Sequence, residues 1–141
     1  MNQTSQPPTL WNPYAAARWS IVFSGAFGAF LHARNADAMG RLGEAKANRV
    51  WFYVWIAYLG VICVTSLILV IPPGLLSLVS FGLLSGWYFS VGQAQATYVK
   101  ETLRDGYERK PWKKPLLIAL CCWIIFLIVF TATITLATRL Q

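Results

Sequence analysis

Acidic side chains are scarce in this chain. Its 141 residues hold five carboxylates against twelve Lys and Arg, one His and three Cys, and only 12% are charged. A soluble domain carries roughly 25% charged residues, so much of the usual solvating surface is missing. The three longest apolar runs contain no Asp, Glu, Lys or Arg. That absence argues against ion pathways and proton relays, which depend on ionisable groups sunk in the membrane. Cys63, Cys121 and Cys122 are odd in number and lie inside apolar runs, and no Cys/His set has metal-ligand spacing. Neither a structural disulfide nor a metal or other cofactor is expected. Phosphate-cradling, zinc-protease and nucleophile-elbow patterns are missing, and one His leaves a catalytic triad without its base. The chain is therefore expected not to be an enzyme. Asp37 and Glu44 stand seven apart like a carboxylate pair, but Gly40 and Gly43 interrupt the helix they would share. They are expected to balance Arg41 and Lys46 as solvated charges. The first residues lack the basic stretch and small-residue site of a cleaved signal peptide. Residues 1–13 read as a flexible tail.

What the chain has instead is apolar length. Residues are 57% hydrophobic, with a mean hydropathy of +0.52. Uncharged runs cover residues 50–71, 74–99 and 115–137. A bilayer core of roughly 30 Å needs about 20 residues of helix, so each run predicts a spanning helix. Pro72-Pro73 separates the first two into a tight antiparallel pair, because proline removes a backbone donor and disfavours helix just before itself. The third helix is expected to continue past the membrane to Asp105, with Gly106 as its stop. An earlier run is weaker, since only Trp19 to Leu31 is free of ionisable groups. A helix over 14–33 spans if Arg18 reaches back to the headgroups; otherwise it dips in and returns. A span is the preferred reading. The fold class is all-α, a polytopic membrane helical bundle of three to four transmembrane helices in one domain.

Ten of the twelve basic residues fall in two segments, 34–49 and 100–114, and none near Pro72-Pro73. Segments of this kind stay cytoplasmic, beside an anionic leaflet, so the net charge of +7 points to membrane and not to nucleic acid. Arg109, Lys110, Trp112, Lys113 and Lys114 form the sharpest cluster, suited to anionic headgroups or to fixing topology. His32 sits where the first run meets its basic loop, a candidate pH-sensitive contact. Ser20, Ser24 and Gly28 recur every four residues, as do Gly82, Gly86 and Ser90. Such small-residue faces let helices approach closely in lipid, within the bundle or against a partner. Thr131, Thr135 and Thr138 place hydroxyls along one face of the last helix, for pairing across an interface.

Asn12-Pro13, Ala15-Ala16, Trp19-Ser20, Phe27-Gly28-Ala29, Leu31-His32 and Asn35 make the stretch from Trp11 to Arg49 resemble a group of short proteobacterial inner-membrane proteins. The resemblance covers about a quarter of the chain. It implies a bacterial inner-membrane location, and some proteins of this type act as immunity proteins for secreted interbacterial toxins. Ala36 stands where the group often has an aromatic, so no binding role is carried over. The expected function is binding of a protein partner, most concretely a membrane-active toxin. The alternative is a subunit of a small homo-oligomeric channel or transporter.

Overall fold

The computed structural model describes residues 7–140. Helix α1 spans Pro13–Phe23, with proline at its first turn and the Asn12 side chain accepting from the Ala15 N–H at 3.2 Å. Both are favoured helix starts, since proline there forfeits no bond and Asn satisfies an orphan donor. Helix α2, Gly25–Ala38, begins two residues after α1 ends. Ser24 alone reverses the chain between them, at φ 118° and ψ 160°. The two helices then run antiparallel. Trp11 lies against Asn35, the Pro13 carbonyl against His32, and Ser20 against Gly28.

The single helix expected over 14–33 is therefore a hairpin, and the preferred four-span arrangement gives way to three spans. The physical reason is length. An eleven-residue helix rises only about 16 Å, roughly half a bilayer core. The hairpin tip reaches Trp55, where a Cβ on Gly25 would overlap the indole. Trp55 is six residues into α3 beyond Arg49, so the tip goes about 9 Å deeper than that charge.

Helices α3 (Leu42–Thr65), α4 (Pro73–Leu103) and α5 (Lys113–Leu140) follow. These three are long and apolar enough to cross a membrane. Helix α3 starts ahead of its apolar run, through Glu44 to Ala47, and stops at Thr65 although the run continues to Ile71. The Tyr58 hydroxyl ties α3 to α4, meeting the Leu76 carbonyl at 3.1 Å and the Ser80 hydroxyl at 2.8 Å. Helix α4 contains two π-helical turns, Tyr88–Gly92 and Val99–Leu103, and ends where Arg104 turns to φ 49°. The Gly106 N–H closes that end on the Leu103 carbonyl at 2.7 Å.

A two-residue strand β1 (Thr9–Leu10) pairs in parallel with β2 (Glu108–Arg109). Residues 9–12 are thus tied down, against the expected flexible tail; residues 1–6 lie outside the described part. This clip puts the start of the chain, the turn after α2 and the 104–112 connection at one end of the bundle. The 66–72 connection and the end of α5 lie at the other. Both basic segments share the near end.

The core is built from small side chains. Ala26, Ala29, Ala33 and Ala36 are buried along α2, with Ala16 on α1, Ala45 on α3 and Ala96 on α4. Trp55 and Trp87 are the large residues among them. Gly28 is where the approach is closest. A Cβ there would overlap the Ser20 hydroxyl and stand 2.5 Å from Trp87 Cη2. Gly28→Ala is expected to lower stability by more than about 2 kcal/mol, an overpacking cost at a site that cannot give. Gly82→Ala, with open space around it, should be neutral, and thermal unfolding in detergent compares the two. The Ser24 backbone occupies a region that glycine alone visits freely, at a cost of roughly 1–3 kcal/mol. Ser24→Gly is expected to raise the unfolding midpoint, and an unchanged or lower midpoint would contradict the strain.

Candidate functional site at the near end

The near end gathers the buried amides. Asn35 on α2 accepts from the Trp11 N–H at 3.0 Å and donates to the Trp11 carbonyl at 2.7 Å. That two-way bond satisfies both backbone groups of a residue outside any helix. On the next turn back, His32 Nε2 meets the Pro13 carbonyl at 3.1 Å. Gln95 on α4 donates to the His32 carbonyl at 2.9 Å. Trp87 Nε1 donates to Asn48 Oδ1 at 3.0 Å, and the Asn48 amide donates to the Glu44 carbonyl at 2.9 Å. His32, Asn35, Asn48, Gln95 and Trp87 are all fully buried. Together they join α1, α2, α3 and α4 through polar side chains, each placed on a face of otherwise small residues.

The π-helical turn at Tyr88–Gly92 matters here. It inserts an extra residue between Trp87 and Gln95, so their spacing departs from plain α-helical phase. Trp87 then faces Asn48 while Gln95 faces His32.

His32 is not an interfacial contact. Its ring packs edge-on against Trp87 with centroids 5.1 Å apart, and no part of it is exposed. Burial pushes the imidazole down to about 4, with the Pro13 carbonyl pulling weakly the other way. With Nε2–H donating to that carbonyl, Nδ1 carries a bare lone pair, and it has no partner among the described residues. The expected pH-sensitive contact is therefore a neutral structural group at pH 7.

The charged groups lie around this core. Asp37 takes two bonds from Arg49, at 2.8 and 2.6 Å, and Glu44 pairs with Arg41. The balancing cations are thus Arg41, as expected, and Arg49 in place of Lys46. Arg41 also lies 4.0 Å over the Tyr98 ring. Lys110 lies 4.5 Å over the Trp11 indole, whose Nε1 donates to the Pro111 carbonyl at 3.1 Å. Burial lowers the Lys110 pKa, and the Arg34 charge lowers it further. Arg34 in turn covers Phe30 at 5.4 Å. Arg109, Lys113 and Lys114 are exposed and Trp112 is half-buried.

The remaining sequence candidates separate. Ser20 and Gly28 are buried against each other inside the hairpin, and Ser24 is its apex, so that face is used internally. Gly86 faces Trp51, whose Cη2 would lie 3.3 Å from a Cβ there. Ser90 bonds the Trp87 carbonyl of its own helix at 3.3 Å. Gly82 has open space around it, and Gly86 and Ser90 are exposed as well. Thr135 and Thr138 bond carbonyls of their own helix, at 2.9 Å each, so those hydroxyls are not held for an interface. Sequence reasoning missed Asn48, Gln95 and Trp87. The available signal was weak: Asn48 follows an alanine and Gln95 lies between two, but other polar residues such as Arg49, Gln93 and Thr97 stand close by on the same helices.

Because the folded pKa of His32 lies below the ordinary 6.5, the unfolded chain takes up the proton first as pH falls. Its contribution is complete above about 6.5 and is lost towards about 4, a change on the order of 3 kcal/mol. Unfolding midpoints at pH 7.5 and 4.5 should differ more in the wild type than in His32→Gln. Equal differences would show that the acid loss does not come from His32.

Comparison with family models, with curated proteins and with solved structures found no match for this chain.

Proposed function

We propose that this protein is a multi-pass protein of the bacterial inner membrane that makes and breaks no bonds itself and acts by binding a protein partner. The observation that supports this reading is the isolation of α5. Of its described side chains only Pro115, Ala119 and Ala137 are buried. Leu117, Ile118, Ile125 and Ile128 are each more than 60% exposed. Lipid accommodates such a helix, but lipid gives no reason for the shallow groove along it. That groove is lined by Leu127, Ile128, Thr131, Ala132, Thr135 and Leu136, with small residues at its floor. Small residues four apart let another helix come close, and dispersion then holds the pair. With Thr135 already bonded to the Thr131 carbonyl, the groove offers shape along most of its length, and Arg139 closes one end of it.

The resemblance carried by the hairpin residues supplies the concrete form of the proposal, sequestration of a membrane-active toxin. Asn12, Pro13, Ala16, Ser20, Gly28, His32 and Asn35, which carry it, all serve the fold of the hairpin. They therefore speak for a shared scaffold, and the partner's identity rests on surfaces elsewhere. Basic segments at the near end place that end in the cytoplasm under the positive-inside rule, with the end of α5 outside.

Thr131→Leu combined with Thr135→Leu should leave membrane insertion intact and cut recovery of the co-purified partner at least tenfold. Undiminished recovery would remove this groove from the proposal. A ring of identical subunits in nanodisc mass measurements would favour the channel reading instead.

A further inference from the structure

Arg34 and Lys110 are brought together by residues far apart in sequence. Strand β2 carries Lys110 alongside β1, and the Lys110 N–H donates to the Leu10 carbonyl at 2.8 Å. The next residue, Trp11, is clamped on both backbone groups by Asn35, the neighbour of Arg34. The Trp11 indole is fixed in turn by the Pro111 carbonyl, and Lys110 lies over its face. Each cation is thus held against an aromatic ring, Lys110 on Trp11 and Arg34 on Phe30.

Neither cation has a carboxylate within ion-pair distance among the described residues, where the pairs are Arg41–Glu44 and Arg49–Asp37. The nearest acid along the strand, Glu108, turns to the Thr9 hydroxyl at 3.5 Å. Burial lowers the Lys110 pKa first, and the like charge of Arg34 lowers it further. A second observation points the same way. Helix α5 opens with Lys113 and Lys114, two cations at the end where the helix dipole is already positive. A 28-residue helix without an acid in its first turn, led by two lysines, leaves a concentrated positive field just past Trp112. The place is the membrane surface, because α5 enters the apolar region from here and Trp11 and Trp112 are side chains of the headgroup zone.

We infer that Lys110, laid over the Trp11 indole, and Arg34, the neighbour of the Asn35 that clamps Trp11, bind the phosphate of an anionic phospholipid at the mouth of α5, with Lys113 and Lys114 completing the field. Guanidinium and ammonium groups suit that phosphate, the guanidinium by two parallel bonds and the ammonium as a point charge. The acyl chains would run down the exposed start of α5, along Leu117 and Ile118. The inference goes beyond partner binding, and it stands or falls separately from the groove on Thr131 and Thr135.

The test uses the full chain purified in a neutral detergent and native mass spectrometry with added phosphatidylglycerol. The wild type is expected to retain phosphatidylglycerol over phosphatidylcholine by at least tenfold. Arg34→Gln and Lys110→Gln should each lose most of that preference, while Lys110→Arg keeps it. Arg104→Gln, an exposed cation away from Trp11, should leave it unchanged. Lipid-free unfolding midpoints within a degree or two of wild type confirm that the variants fold. Equal loss in Arg104→Gln would show a diffuse field with no site, and equal retention of phosphatidylcholine would show no headgroup selection. Competition by inorganic phosphate at the same concentration would show a soluble-anion site. Each of these three results overturns the inference.

Discussion

A helix that turns back inside a membrane protein leaves backbone groups that neither lipid nor water can satisfy. An unpaired amide away from water costs several kcal/mol in hydrocarbon, so such a hairpin persists only where protein groups take the place of water. At the tip the backbone closes on itself, the Ser24 N–H on the Ser20 carbonyl at 3.0 Å and the Phe27 N–H on the Ser24 carbonyl at 3.1 Å, and at the base the side chains are Asn12, Asn35 and Gln95, supported by His32. Asn12 caps α1, Asn35 closes both backbone groups of Trp11, and Gln95 secures the α2 backbone at His32. The rest of the architecture follows from where these amides stand. They require α2 to lie flat against α1, α3 and α4, which only alanine and glycine permit, and so the centre of the bundle is small and close.

That arrangement gives the molecule two unlike ends. The near end carries the amides, the ion pairs Arg41–Glu44 and Arg49–Asp37, and three cations laid over aromatic rings. The far end has apolar contacts, among them Ser66, Leu69, Ile71, Leu76, Phe130 and Ile134 around a small cleft. Surface ion pairs contribute little, roughly 0–1 kcal/mol each, so the near-end charges do not account for stability. Their value is positional. They fix which end stays at the charged surface, and the polar core fixes how the hairpin meets it.

The sequence made the spans legible because uncharged runs of this length have one physical solution in lipid. Gly106 gave the stop of α4 and Glu44 to Ala47 the early start of α3, but α3 ends at Thr65, ahead of Pro72-Pro73, which instead opens α4. The break at Ser24 was not legible. Around it the chain reads Ile21-Val22-Phe23-Ser24-Gly25-Ala26-Phe27, with no proline and no charge, and Gly25 is the residue a positive φ would favour. The strain falls on Ser24 because Gly25 is needed one position later, where Trp55 leaves no room for a side chain. The short charge-free stretch from Trp19 to Leu31 was the true signal, and it weighed less than the helix that could be drawn through it. The tie at Thr9–Leu10 was equally hidden, since two residues of strand leave no periodicity to read. The small-residue faces were half legible. Spacing identified both faces, but spacing cannot tell a face turned inward from one turned outward: Ser20 and Gly28 are packed inside the hairpin, while Gly82, Gly86 and Ser90 are exposed.

The clip between β1 and β2 adds a constraint on how the molecule can assemble. Leu10 pairs with Arg109, so the base of the hairpin is completed only by residues that follow all of α3 and α4. Closing so long a loop is slow, because the entropy of closure is met before the contact forms. Until then Trp11 has its Asn35 bonds but not the Lys110 stack or the Pro111 carbonyl, and the hairpin base is open. Gln95 and Trp87 come from the same late segment, so the imidazole of His32 also stays uncovered until α4 docks. The N-terminal hairpin is thus first in sequence and last to be finished. Its seating depends on α4 running back to the near end, where α4 presents Gln95 and Trp87 and the connection after it presents Lys110.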